Sequence, residues 1–259
     1  MSSGSMVNDC QSYIWECYEM NSNASSSNRA VKCVVLQPSY VPWRGYFHQI
    51  QKADVFVFYD DVQFDKGGWR NRNRVKTPNG VRWLTIPVLL KEHLLNKSLI
   101  NEIRVCWNEP WNVKHWTLLK QSYGKAPFFS RYAPLLEEFY NQKPQYLSDF
   151  TCELTIALAR ELGATKTQFV HSSELKATGA KTDRLLCILQ ALNVTHYISG
   201  PSAKGYLEED KLAAAGITWE YMTYDYPEYP QLYPPFDPQV SILDLLFMVG
   251  PQASAYIWE

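Results

Sequence analysis

Residues 32–60, "KCVVLQPSYVPWRGYFHQIQKADVFVFYD", limit the possible folds more than any other stretch of the chain. "KCVVLQ" is a β-branched apolar run stopped by Pro38, the pattern of a buried strand. "RGYFHQIQKA" places Tyr46, Phe47 and Ile50 at helical spacing. "DVFVFYD" is a second apolar strand. Strand, short helix and strand within about 30 residues form a βαβ unit, which crosses over right-handed and pairs its strands in parallel. The chain is therefore expected to be an α/β protein with a mostly parallel sheet.

The rest of the chain extends this pattern. "GVRWLTIPVLL" reads as an edge strand because of its Pro, and "EIRVCW" as a short strand. The pattern is then helical over 111–122, 128–141 and 147–162, with Gly124 and Gly163 as stops. "TQFVHSS", "HYISG" and "ITWEYMTY" read as strands, separated by helices over 181–192 and about 206–214, which restores βαβα alternation. "SILDLLFMVG" closes with an apolar helix capped by Ser241. Residues 1–30 end in the Ser/Asn-rich "NSNASSSN" and read as a flexible N-terminal arm. The expected organisation is this arm and one α/β domain over 31–259, with a helical insertion around 111–162.

The 259 residues are 46% hydrophobic and 20% charged, which suits a packed core. A net charge of −1 gives no global field for nucleic acid, and no nucleic-acid partner is expected. No apolar run approaches the ~18 residues of a membrane helix, and the start has no secretory pattern. With six scattered cysteines and no CxxC pair, reduced thiols in the cytoplasm are the expectation. No pair of His or Cys has metal-ligand spacing, so neither a metal nor a cofactor is expected.

The segment "DDVQFDKGGWRNRNRVK", residues 60–76, is the densest concentration of candidate chemistry. It follows a strand directly, and open parallel sheets bind ligands beyond the carboxyl ends of their strands. Asp60 and Asp61 are candidate general bases, though two adjacent side chains on extended backbone point opposite ways. Taken singly, each is more commonly a turn cap or an arginine partner. As a group, Gln63, Trp69, Asn71, Arg72 and Lys76 read as a ligand loop. Arginine forks suit phosphate or carboxylate, and an indole suits a sugar or base face. An extended chain would put Arg70, Arg72, Arg74 and Lys76 on one side and Asn71 and Asn73 on the other.

His115 is the best-placed histidine for proton transfer, with Lys114 beside it; His48, His93, His171 and His196 have no company in the sequence. "SGPSAKGYL" offers Ser202 and Tyr206 on a turn between strand and helix. Thr182 caps a helix whose first turn carries Arg184, against the helix dipole, which suggests that Arg184 meets a ligand or an acid such as Asp60. "YPEYPQ" is too rich in Pro and Tyr for a strand centre and suits a lid.

The segment 36–76 resembles the opening signature of the WbqC-like family. "WNVKHW", "SYGKAPFF", "KTDRLL", "YISGPSAKGYL", "YPEYPQ" and "SILDLLF" resemble its later blocks in order, over about 33–250. The matched blocks add Gln37, Tyr46 and Gln231 to the expected substrate-binding residues. They imply that Asp61, Gln63, Asn71, Arg72, His115, Arg184 and Tyr206 line one cleft. The resemblance implies a small-molecule-modifying enzyme: a transferase forming an amide, or moving an acyl or aminoacyl group, on an amino sugar or related metabolite. Its partner would be a sugar, a nucleotide or a carrier-bound acyl group; oligomeric state is left open. The alternatives are a nucleotide-dependent adenylyl or nucleotidyl transferase and a non-catalytic binding protein of a biosynthetic complex. The first draws on a similarity of "PWRGY" to the strand–turn–helix of HIGH-type nucleotidyltransferases, whose histidines are here Trp43 and Tyr46. There Gly45 would open the helix N-terminus to an anion.

Overall fold

The computed structural model of the protein describes residues 30–89 and 98–258. The expectation of an N-terminal arm falls on 1–30, almost all of it outside the described residues. The strands are β1 (Lys32–Leu36), β2 (Val55–Phe58), β3 (Arg72–Thr77), β4 (Gly80–Thr85), β5 (Val88–Leu89), β6 (Arg104–Val105), β7 (Gln168–His171), β8 (His196–Ser199) and β9 (Thr218–Tyr221). The helices are α1 (Arg44–Lys52), α2 (Trp111–Tyr123), α3 (Phe129–Asn141), α4 (Leu147–Glu161), α5 (Lys181–Ala191), α6 (Glu209–Ala214) and α7 (Ile242–Val249).

The opening βαβ unit is present as expected. β1 and β2 run parallel with Cys33 opposite Val55, and α1 connects them. Five strands form one parallel sheet in the order β7-β2-β1-β8-β9. Period-2 alternation divides its side chains between two cores. Val34, Phe56, Phe58 and Ile198 face one cluster with α1, while Cys33, Val35, Val57 and Tyr197 face another with Ile188 and Leu189 of α5 and Leu212 of α6. Both faces are covered, as an all-parallel sheet requires. The apolar α7 is buried along its whole length, and the Ser241 hydroxyl accepts from the Leu243 N–H as its cap.

Two readings change. "GVRWLTIPVLL" is not one strand: it stops before Pro87 and resumes as β5, because Pro cannot donate to a ladder. The polar segment 60–76 is not loop throughout. From Arg72 it becomes β3, which pairs antiparallel with β4.

Candidate functional site

The order of the parallel sheet creates a switch point. From β1 the chain crosses to β2 on one side, whereas β8 leads to β9 on the other. The loops leaving the carboxyl ends of β1 and β8 therefore diverge and leave a crevice, where open α/β sheets place their ligands. A cavity of about 630 Å³ lies there, lined by Leu36, Gln37 and Ser39 after β1, Trp43, Tyr46 and Gln49 of α1 and its approach, and Tyr59. Trp69, Arg70, Asn73, Tyr206 and Gln239 complete its wall. Of the residues expected to bind substrate, Gln37, Tyr46, Trp69 and Tyr206 line this cavity.

Two polar atoms on this wall have no partner. Gln49 is buried; its Nε2 donates to the Tyr224 hydroxyl at 2.9 Å, but its Oε1 accepts nothing. Arg70 donates through Nη1 to the Pro38 carbonyl at 3.2 Å, and its Nε is buried without an acceptor. Burial lowers the pKa of Arg70, partly offset by Asp65, 3.5 Å away and more than half exposed. A desolvated guanidinium with so loose a counter-ion favours an anion, and the free amide oxygen favours an N–H or O–H donor.

The loop from β1 to α1 is held under strain. Val41, a β-branched residue, has φ 38°, a conformation such residues rarely adopt. The Asn73 side chain donates to the carbonyls of Tyr40 and Val41, at 3.1 and 2.9 Å, and clamps this turn. Asn73 is thus a scaffold of the site that reaches it from β3. Gly45 does not leave the helix N-terminus open: a Cβ there would lie 2.3 Å from the Trp43 ring, so its lack of side chain admits the indole. The anion-binding helix N-terminus suggested by "PWRGY" is therefore filled by Trp43, itself edge-on to Tyr224. Tyr224 and Tyr226, the latter the first residue of "YPEYPQ", pack against this indole.

One strand away, at the ends of β2 and β7, lies a second polar cluster. Buried Asp60 meets His171 Nδ1 at 2.7 Å and accepts from the Ser172 and Ser173 hydroxyls and the Ser173 N–H. Burial works to raise the Asp60 pKa, but the bonds from His171 and Ser173 outweigh it and hold it below its ordinary value. The Asp60 bond raises His171 against its own partial burial. Asp61 accepts from Ser172 and from Arg184, both at 2.5 Å, and the Arg184 guanidinium lies over the ring of cavity-lining Tyr59. Arg184 thus pairs with the neighbour of the carboxylate that its sequence position suggested.

The other expected residues are dispersed. His115 is buried off the cavity, with Nδ1 3.0 Å from the Tyr40 hydroxyl and its ring against Trp111. Burial drives its pKa down to about 4, opposed by a bond with the Thr85 backbone. Lys114 is exposed and pairs with Glu109. Asn71 is buried and donates to the Ile86 carbonyl at 2.8 Å. Gln63 is exposed at a bridge to Leu99. Arg72 lies over Trp83, and Lys76 binds Gln231 at 2.8 Å. Thr182 accepts from the Glu208 N–H, and Ser202 is exposed on a 3-10 turn. Of the seven residues expected to share one cleft, Asp61, Gln63, Asn71, Arg72, His115, Arg184 and Tyr206, the cavity takes Tyr206 and none of the other six.

Sequence reasoning did not select Gln49, Arg70 or His171. Gln49 belongs to an ordinary amphipathic helix, and Arg70 differs from Arg72 only by preceding the strand. His171 meets its carboxylate across 111 positions. Among the described residues, no group of three or more His, Cys, Asp or Glu could hold a metal, and no helix is long and apolar enough to cross a membrane.

A five-stranded parallel sheet covered on both faces, with a polar-aromatic cavity at its switch point, defines an α/β protein. The chain belongs to the WbqC-like protein family, whose model matches residues 37–256. It is similar to "Uncharacterized protein Rv1507c" of Mycobacterium tuberculosis, 38% identical over 228 residues covering 87% of this chain and 97% of that one. No solved structure matches the chain.

Proposed function

We propose that the protein is a transferase that forms an amide, or moves an acyl or aminoacyl group, on an amino sugar or related metabolite bound in the switch-point cavity. The observation that carries this reading is a pair of buried groups on one wall with hydrogen-bonding capacity to spare, the Gln49 amide oxygen and the Nε of Arg70, whose nearest carboxylate, Asp65, lies 3.5 Å away. A substrate with an amine or hydroxyl and an anionic group would satisfy both. In the reaction the acceptor amine attacks the acyl carbon, and the new C–N bond forms. The bond to the donor's leaving group breaks with its electron pair. The proton that the amine loses passes to the departing group. Among the described residues no histidine lines the cavity, so this proton transfer is assigned to none of them.

The test is a thermal-shift screen of acyl and aminoacyl donors, amino sugars, nucleotides and nucleotide sugars, with mass spectrometry of the product from any stabilising pair. The expected outcome is stabilisation by a donor–acceptor pair that is lost in Arg70→Gln. Stabilisation by ATP and magnesium alone, untouched by acyl donors, would turn the assignment to the adenylyl or nucleotidyl transfer alternative.

A further inference from the structure

Large exposed aromatic side chains are concentrated around the open side of the cavity. Trp69 is 43% exposed, Trp83 45% and Tyr206 68%. Trp69 and Tyr206 belong to the cavity wall, and they reach it from opposite directions, one before β3 and the other after β8. Trp83, on β4, lies against Trp69 with ring centroids 5.3 Å apart and a 35° tilt, so one face of Trp69 is supported by protein. The Arg72 guanidinium sits over Trp83, 4.4 Å from the ring centroid. Arg72 donates to the Gly67 carbonyl, has a buried Nε without a partner, and forms no ion pair with any carboxylate among the described residues.

Exposed indoles gain nothing in stability from facing water, and aromatic clusters of this kind mark binding surfaces. Here the cluster is continuous with a cavity that already holds a desolvated arginine. Two cations, Arg70 in the cavity wall and Arg72 over Trp83 outside the lining, flank the Trp69–Trp83 pair. Flat rings stack on indole and phenol faces with little demand for hydrogen-bonding pattern, while guanidinium groups select phosphate.

We propose that the mouth of the cavity is a ring-stacking subsite, in which Trp69 and Tyr206 grip a ring of a phosphate-bearing ligand. Arg72 and Arg70 hold its phosphate, and Trp83 braces Trp69 from behind. The ring is a sugar or a nucleobase, since both present a face to an indole. This rests on the reading of the cavity as the substrate site and adds the class of substrate.

Calorimetric titration of the full chain with UDP-N-acetylglucosamine, UDP, ATP and N-acetylglucosamine 1-phosphate tests it. Wild type, Trp69→Ala, Trp69→Phe, Tyr206→Ala, Trp83→Ala, Arg72→Gln and Arg70→Gln are compared, each with its melting temperature. The expected result is binding to wild type that weakens about 10-fold or more in Trp69→Ala and Tyr206→Ala. It should survive largely in Trp69→Phe, weaken less in Trp83→Ala, and become less salt-sensitive in Arg72→Gln. Binding of UDP and ATP without the sugar phosphate identifies the ring as a base, and the reverse pattern identifies it as a sugar. If Trp69→Ala and Tyr206→Ala bind like wild type while Arg70→Gln does not, the stacking subsite is refuted and the cavity reading stands. If no probe binds wild type at millimolar concentration, the ring-and-phosphate class is refuted, and the cavity is then judged by the acyl-donor screen.

Discussion

Two polar regions of this protein are buried to a similar degree and differ in how completely their groups are paired. In the first, buried Asp244 of α7 accepts from the Tyr123 hydroxyl, the Tyr229 hydroxyl and Gln231 Nε2, each at 2.8 Å. Gln231 Oε1 in turn accepts from Lys76 Nζ and the Asp237 N–H, and the Tyr123 hydroxyl from the Lys76 N–H. The second region is the switch-point wall, where Gln49 Oε1 and Arg70 Nε have no partner. A fully paired buried network rigidifies a core, whereas an unpaired buried group carries a desolvation penalty that a ligand can relieve. Completeness of pairing, more than polarity, separates scaffold from site here.

The largest effect should come from breaking the paired network. Asp244→Ala would leave the buried Tyr123 and Tyr229 hydroxyls without their acceptor, at about 1–3 kcal/mol each, while Gln231 Nε2 keeps the Asp237 carbonyl. We expect about 3–5 kcal/mol of lost stability and a melting temperature lower by roughly 6–15 °C. Ligand affinity of the molecules that remain folded should be unchanged. A variant with native melting temperature would place Asp244 outside the scaffold class.

His115→Ala comes next. It removes a ring packed on Trp111 and Tyr140 and one of the two partners of the Tyr40 hydroxyl, which keeps Tyr140, for about 2–4 kcal/mol. Turnover of the folded fraction should persist. Turnover abolished at unchanged stability would restore His115 as the proton-transfer group.

Gln49→Leu should act in the opposite sense. It loses one bond to Tyr224, worth about 1 kcal/mol, and removes the free acceptor. The thermal shift produced by any stabilising compound should fall sharply while the unliganded melting temperature moves little. An unchanged shift would mean that the orphan oxygen does not face the ligand.

How far the sequence reveals this contrast depends on the range of the interactions. The βαβ unit at 32–59 is legible because its hydrophobic period is set locally by the pleat and the helical turn. Of the four cavity residues Gln37, Tyr46, Trp69 and Tyr206, the first two come from the family resemblance, and Trp69 and Tyr206 from polar-aromatic segments that follow apolar strands. Arg70 and Arg72 look alike in sequence, and only the onset of β3 at Arg72 sends one inward and the other over Trp83. The asparagines between the arginines are drawn inward to satisfy backbone carbonyls at Ile86, Tyr40 and Val41, a demand that exists only after the hairpin meets the β1–α1 turn. Asp60 and His171 are joined by the pairing of β2 with β7 after three intervening helices, so no local spacing announces them.

That last pair gives the smallest predicted effect and the finest test of the comparison, because it is neither wholly buried nor left without partners. The folded pKa of His171 is raised above 6.5, so its contribution is full below pH 6.5 and is lost as pH rises through the folded value. The folded pKa of Asp60 is lowered below 3.8, so its contribution is present above pH 3.8 and is lost as pH falls through its folded value. The pair therefore stabilises most between about pH 4 and 6.5. His115 and Asp244 titrate against the same background. The lowered His115 pKa weakens the fold as pH falls from 6.5 toward about 4, and the raised Asp244 pKa weakens it as pH rises from 3.8. Both effects are common to wild type and His171→Gln, so the difference between their curves of melting temperature against pH isolates the pair. The side chain of His171 is a third exposed, and solvent screens part of its interaction, so the difference should be small. It should be greatest near pH 5–6 and vanish above the folded pKa of His171. A difference that does not vary with pH would mean that the imidazole is held by packing alone, without the bond to Asp60.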